Sequence, residues 1–572
     1  MSWMWAIRSV VLAACIAAES AWGQATVNPA ASPDARIVVS NEDRSGEPVN
    51  LDAWWNHAVF YQVFVRSFAD SSSGPLAGDG IGDFQGLIER LDYLNDGDPA
   101  TTRDLGVTAL WLMPIMPATG YHGYDVKDYT AVNPEHGTME DFTRLVRECE
   151  RRGIRVILDW VPNHCSWEHP WFVEAMDPNG STRDWFLWSS ERPRWKGAWN
   201  QEVWHPHPAR GSSGGYYFGL FWKGMPDFNL RNPEATAALF ASASFWLRPE
   251  VGVSGFRIDA VRHLIEDGEV QESTPETHAW LAAFRRHAES VRPDAFTVGE
   301  VWAESGQVAP YVGRGLRSAF EFDTAEATIR ALNTGAREGL DRQWGRNLRL
   351  YPRGQYSTFL SNHDLDRVMS RLGGGDKSTR ETGEAAWRKA RAAATILFTA
   401  PGVPFIYNGE EIGMVGVKPD EDIRTPMPWD AGGGFTAGTP WRAYNADTPG
   451  KNVAVQDADP SSLLNHYRSL IRLRTNERAL RVGSMEVLDT ANRRVWAFAR
   501  EDRGRVIVVA VNLSGEPVAD YLVTVPASVT ARRRGVDLLT GREVGVSRGD
   551  ARFKPAEVLG AYGSVVVGFG EE

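Results

Sequence analysis

The stretch "GFRIDAVRH", Gly255 to His263, places an arginine and an aspartate two residues apart in an otherwise apolar run. In a strand, residues two apart point to the same side, so Arg257 and Asp259 share a face. If that face is a protein interior, a guanidinium and a carboxylate are buried together, which is costly unless the ions pair. A structural ion pair and a catalytic pair both meet this condition. The rest of the chain decides between them.

Seven further β-rich runs resemble this one: "VFYQVFVRSF" from Val59, "VTALWLMPI" from Val107, "RVILDWV" from Arg155, "AFTVGEVW" from Ala295, "SAFEFD" from Ser318, "YSTFLSNHD" from Tyr356 and "VPFIYNGEE" from Val403. Helical patterns such as "FQGLIERLDYLN", "EATAALFASASFWL" and "HAWLAAFRRHAESV" follow most of them. Eight strands alternating with helices predict an α/β fold, a parallel (β/α)₈ TIM barrel, over residues 53–481. An open doubly wound sheet is the rival, but no glycine-rich phosphate loop follows the first strand. Residues 164–228, rich in Trp, Pro and Gly, are too long for a structureless loop and predict a small domain inserted after strand three. Most of its tryptophans are expected in its core. Residues 482–572 read as short alternating runs with turns between, which predicts a C-terminal antiparallel β-sandwich domain.

The first 23 residues have the form of a secretory signal peptide: Arg8, an apolar run from Val10 to Ala18, then Ala21 and Gly23 at cleavage-site positions. "LAAC", ending at Cys15, suggests a lipoprotein signal, but only Ser9 to Ala14 separate Arg8 from Cys15, so simple export is favoured. Residues 24–52 are a polar leader, and a secreted or periplasmic location is expected. No later run is long and apolar enough for a membrane span. Cys149 and Cys165 fall at opposite ends of a helix–strand unit, so a disulfide is not expected. The formal net charge of −12 argues against nucleic acid as a partner, and a monomer is expected.

Active sites of such barrels lie at the C-terminal ends of the strands, where the polar residues cluster. Strand three ends in Asp159 and runs on to Asn163 and His164. Strand four carries Arg257 and Asp259, strand five ends in Glu300, and strand seven in Asn362, His363 and Asp364. "GYHGYDV" after strand two adds His122, Tyr124 and Asp125. Cleaving a glycosidic bond needs one ionised and one protonated carboxyl. Arg257 is expected to lower the pKa of Asp259 and keep it ionised, and neighbouring acids to raise that of Glu300.

"DWVPNH", "GFRIDAVRH", "GEVW" and "SNHD" occur in the order and placement of the four signature regions of the α-amylase family, glycoside hydrolase family 13, which this chain resembles from about Ala53 to Leu480. The resemblance implies a retaining α-glycosidase with Asp259 as nucleophile, Glu300 as acid/base and Asp364 as transition-state stabiliser. It places Tyr124, Asp125, His164, Arg257 and His363 at sugar-binding positions. His263, with Arg262, matches a Lys-His pair that binds a sugar beyond the cleavage point. Arg367 is carried as a further candidate sugar contact; it and Arg424 also suit loop ion pairs.

"DSSSGPLAGDGIGD" offers Asp70, Asp79 and Asp83 to a Ca²⁺ ion and resembles a calcium loop of some family members, with an insertion. Asn163 resembles a ligand of a second family site. A metal-free turn is the alternative. "MPDFNL" and Ala260 resemble α-1,4-acting secreted bacterial amylases, so the expected substrate is an α-glucan or maltooligosaccharide. An exo-acting α-glucosidase or transglycosylase is the alternative, and a non-catalytic sugar-binding barrel is less favoured because all three acids are intact.

Overall fold

The eight runs form one parallel sheet. Its strands are β1 (Phe60–Val63), β2 (Ala109–Leu112), β3 (Arg155–Trp160), β7 (Gly255–Ile258), β8 (Phe296–Gly299), β9 (Ser318–Ala319), β10 (Ser357–Thr358) and β11 (Val403–Tyr407). They lie in the order β10-β11-β1-β2-β3-β7-β8-β9. The barrel closes between β9 and β10 through one parallel bridge, Phe320 to Ser357, and a 2.8 Å bond between the Ser318 and Ser357 hydroxyls. The computed structural model describes residues 48–373, 383–525, 534–546 and 552–570, with residues 46 and 529, all within the compact unit Val38–Glu572. The signal peptide, Cys15 and most of the leader lie outside the described residues.

Both faces of the sheet are buried. Outward residues such as Leu110, Leu158, Phe256 and Ile258 pack in the large core shared with the helices, and inward Phe60, Ala109, Trp111, Ile157, Phe296, Val298 and Phe405 form a separate core. Period-two alternation then sets the site. Along the inward phase, apolar residues near the strand starts give way to polar ones at the ends: Phe60 then Gln62, Ile157 then Asp159, Phe296 and Val298 then Glu300. Trp54 and Trp55 plug the opposite end, with Trp55 stacked on Phe296 at 5.5 Å. Gly255 is required where β7 meets β8: its φ is +151°, and a Cβ there would lie 2.0 Å from the Phe296 carbonyl oxygen.

Helix 139–151 starts at a capping box in which Thr138 and Asp141 satisfy each other's backbone N–H, and it buries Phe142, Leu145, Val146 and Cys149 at helical spacing. The predicted helix after β1 breaks at Arg90 into 84–89 and 91–94. Two helices after β9, 322–334 and 338–350, were not among the patterns read from sequence.

The inserted segment forms a three-stranded antiparallel sheet, β4 (Trp188–Ser189), β5 (Trp204–His207) and β6 (Gly211–Phe218), in the order β4-β6-β5. Its neck is fastened by the bridges His164 to Asp227 and Phe186 to Phe228. At the C-terminus, β12 (Ser484–Leu488), β13 (Val495–Asp502), β14 (Arg505–Asn512), β16 (Arg534–Asp537), β17 (Glu543–Gly545) and β19 (Ser564–Phe569) form one antiparallel sheet. A smaller sheet pairs β15 (Val523–Thr524) with β18 (Arg552–Phe553). Trp496, Phe498, Ile507 and Val509 face the barrel, while Val495, Ala497, Val506 and Val508 face the smaller sheet's core. Cys149 and Cys165 are buried free thiols.

Candidate active site

The Arg257 guanidinium binds three acids. It stands in register with Asp159 on β3. Its Nη1 donates to Asp159 Oδ1 at 2.8 Å and Asp259 Oδ1 at 2.6 Å, and its Nη2 pairs with Glu300 Oε2 at 2.8 Å. The group is 1% exposed and lies 5.3 Å from the Trp111 ring centre. Burial opposes its charge, but Asp159, Glu300 and Asp259 outweigh that and hold it firmly protonated. Asp159, whose other oxygen accepts from Trp111 Nε1 and the Tyr124 hydroxyl, orients the clamp from below. From sequence alone Asp159 is only the end of strand three. Its signal was its inward phase, two residues beyond Ile157.

Asp259 and Glu300 sit just past their strands: the Asp259 N–H donates to Trp160 O at 2.9 Å and the Glu300 N–H to Ile258 O at 3.0 Å. Between them Ala260 adopts a left-handed conformation, φ 48°, unusual for a residue with a side chain, and donates its N–H to Glu300 Oε2 at 3.2 Å. Burial, reinforced by Asp259 and Asp364, pushes the Glu300 carboxyl up to about 7. The expectation that Arg257 would lower Asp259 is corrected. Burial pushes Asp259 up and outweighs the guanidinium, which limits the rise. Asp259 and Glu300 are held side by side by the two terminal nitrogens of one guanidinium, at 2.6 and 2.8 Å.

Asp364 is the strongest acid of the group. Burial would raise it, but His363, Arg424 and Lys418 hold it well below the usual carboxylate range. Arg424 Nη2 lies 2.9 Å from Asp364 Oδ1 and 3.1 Å from Asp420 Oδ2, and its Nε donates to the His363 carbonyl at 2.9 Å. Burial keeps the His363 ring neutral. Gln62 Nε2 donates to its Nδ1 at 2.7 Å, which leaves the proton on Nε2, facing Asp364 Oδ2 at 3.1 Å and the Tyr124 oxygen at 2.5 Å. Arg367 is placed elsewhere. It is 1% exposed, and its Nε and Nη1 donate to the carbonyls of Ile423 and Asn408. It staples two loops beneath the site, so of the two arginines Arg424 is the one beside the acids.

The other candidates surround this core. Asp125 accepts from Gly120 N at 2.9 Å. His164 is pushed down to about 4 by burial, and its Nε2 has no protein partner. His263 donates its Nδ1–H to the Gln271 carbonyl at 3.0 Å, and its ring lies 5.9 Å from Trp199. Trp199 and Trp302 are 54% and 51% exposed. Arg262 donates to the Trp302 backbone carbonyl, and the Trp302 indole stacks on Phe322 at 5.2 Å, so Trp199 meets the Arg262–His263 turn through its ring and Trp302 through its backbone. Trp171, Trp185 and Trp188 of the insert instead pack against the core.

The proposed calcium ligands divide. Asp70 accepts from Gly78 N, Gly80 N and Thr436 Oγ1; Asp83 caps helix 84–89 and accepts from Ser71 N; Asp79 binds Ile81 N. Their oxygens are engaged by N–H and O–H donors of their own and one neighbouring loop. Among the described residues no three His, Cys, Asp or Glu side chains gather as a ligand group. Asn163 differs. Its Oδ1 and Oδ2 of the adjacent Asp227 are both buried without a hydrogen-bond partner, and burial pushes Asp227 well above the usual range. Two unpartnered oxygens at one neck fit a hard cation. Asp227 lies in "MPDFNL", which the sequence reading used only to choose among relatives.

A family model described as alpha amylase, catalytic domain, matches residues 62–483. Alpha-amylase 3 of Dictyoglomus thermophilum is 38% identical over 473 residues, 81% of this chain and 86% of that protein. Glucan 1,6-alpha-glucosidase of Streptococcus pneumoniae is 32% identical over 521 residues, 81% of this chain and 92% of that protein. The crystal structure of alpha-amylase from H. orenii is similar at a TM-score of 0.77 and 37% identity, covering 90% of this chain and 100% of that one.

Proposed function

The chain belongs to the α-amylase family of glycoside hydrolases, and from that premise we propose that it is an exported, retaining enzyme that cleaves α-1,4-glucans internally. Asp259 attacks the anomeric carbon while Glu300 gives its proton to the departing glycosidic oxygen. The bond to Asp259 forms as the bond to the leaving sugar breaks. Glu300, now ionised, takes a proton from water, whose oxygen displaces Asp259 and restores the starting configuration. Asp364, kept ionised by Arg424, faces the positive charge that develops on the sugar ring. His164, His363, Tyr124 and Asp125 hold its hydroxyls.

Internal cleavage rests on one observation: the exposed indole of Trp199, 5.9 Å from the His263 ring, and that of Trp302, two residues beyond Glu300, offer aromatic surface to sugars beyond the cleaved bond. Likeness to a glucan 1,6-alpha-glucosidase favours a second reading, an exo-acting glucosidase with the same acids. Following products from starch separates the two. The proposal expects rapid loss of iodine colour with few reducing ends, then maltose and short maltooligosaccharides. Glucose appearing first, with the colour persisting, establishes the second reading.

We also propose that Asn163 and Asp227 hold a structural Ca²⁺. The ion would neutralise a buried carboxylate and tie the neck of the insert to β3. The N-terminal segment supports export.

A further inference from the structure

A second cavity, about 640 Å³, opens beside helix 233–247 and is lined by none of the side chains around Arg257. Small-molecule sites span roughly 300–1,000 Å³. Half-buried Ala238 and exposed Ala241 lie one turn apart on the helix and form its floor. Its walls are two half-buried aromatic residues, Trp171 and Phe245. Tyr129 lies 5.8 Å behind the Trp171 ring and nearly parallel to it (16°), and His169 is 4.4 Å away, which fixes the indole in place. His169 is 4% exposed, and its Nδ1 accepts the Trp171 N–H at 3.1 Å. Burial holds this ring neutral, so its remaining proton is on Nε2, which has no protein partner among the described contacts. The His169 Nε2 donor, the aromatic faces and the Asp128 carboxylate therefore meet in one cavity.

We propose that this cavity is a second, non-catalytic site for an α-glucan chain, an inference that rests on the glucan-hydrolase reading above. The apolar C–H face of a glucose ring would lie on Trp171 and Phe245, with hydroxyls accepting from His169 Nε2 and donating to Asp128. A purely apolar ligand would leave His169 Nε2 without an acceptor, and Lys127 and Arg248 in the lining offer further donors to sugar hydroxyls.

The test uses the full chain. Ala241→Trp fills the floor from an exposed position, and Trp171→Ala removes a wall. Calorimetry with maltoheptaose in the inactive Asp259→Asn background should show two binding events, reduced to one by Ala241→Trp. Adsorption to granular starch should weaken roughly tenfold, about 1.4 kcal/mol, while turnover of a short chromogenic maltooligoside stays unchanged. Should Trp171→Ala fail to fold, Ala241→Trp decides alone. A folded Ala241→Trp with unaltered adsorption and both binding events overturns the second site. Absence of any glucan cleavage by the unmodified enzyme would instead overturn the reading beneath it.

Discussion

Arg257 touches three acids, but Asp259, Glu300 and Asp364 differ in what else surrounds them, and this sets their protonation. Replacing any of those three with its amide should raise the barrier by roughly 4 kcal/mol or more, read as kcat, with little change in melting temperature. Glu300 must carry its proton to act, so kcat/KM should fall as pH rises through about 7. That limb should flatten with a dinitrophenyl glycoside, whose leaving group needs no acid. The two loop arginines separate binding chemistry from architecture. Arg424→Ala strips Asp364 of its cation and should lower kcat/KM about 10²-fold, roughly 2.7 kcal/mol. Arg367→Ala leaves the buried Asn408 carbonyl without its donor and the Ile423 carbonyl with the Tyr407 hydroxyl alone and should cost about 2 kcal/mol of stability, with kcat of the folded enzyme nearly unchanged. From sequence these two arginines could not be told apart, because only the packing shows which one reaches Asp364.

At the scale of elements, the strands that carry charge at their ends were legible because period two is a local property. Their closure was not. The last contact of the barrel joins two-residue strands, β9 and β10, too short for any pattern to register. Gly255→Ala should destabilise the β7–β8 edge by about 4 kcal/mol, measured by denaturant unfolding, because the new Cβ meets backbone that cannot move aside. The neck of the insert carries the metal prediction. Chelator should lower the melting temperature, and Asp227→Asn should abolish the difference, since an ion that binds only the native state stabilises it by mass action. A melting curve indifferent to chelator, with no calcium in elemental analysis, removes the ion from Asn163 and Asp227.

For the whole molecule, buried ionisable groups predict a stability optimum. Glu321 and Glu410 are pushed by burial to about 7 and about 8. Their folded values exceed the unfolded one, so the stability they contribute is complete below about 4.5 and is lost as pH rises through 7 to 8. His136, His164 and His466 are pushed by burial down to about 4. Their contribution is present above 6.5 and is lost as pH falls toward 4. Above 6.5 only the carboxyl effect remains, at roughly 1.4 kcal/mol per pH unit for each proton. Calorimetric melting temperatures should therefore decline from pH 6.5 to 8.5.

By itself, the sequence determined the barrel, the insert, the C-terminal sheets and the acids Asp259, Glu300 and Asp364, because alternation along a strand and position at its end are readable one residue at a time. Only the tertiary structure decided that Asp159 completes the Arg257 clamp, that Arg424 rather than Arg367 stands beside Asp364, and that Asp227 keeps one buried oxygen without a partner. Each of these depends on which side chain from a distant segment fills the last hydrogen-bonding position of a buried group. Burial, unlike periodicity, is a property of all the segments together.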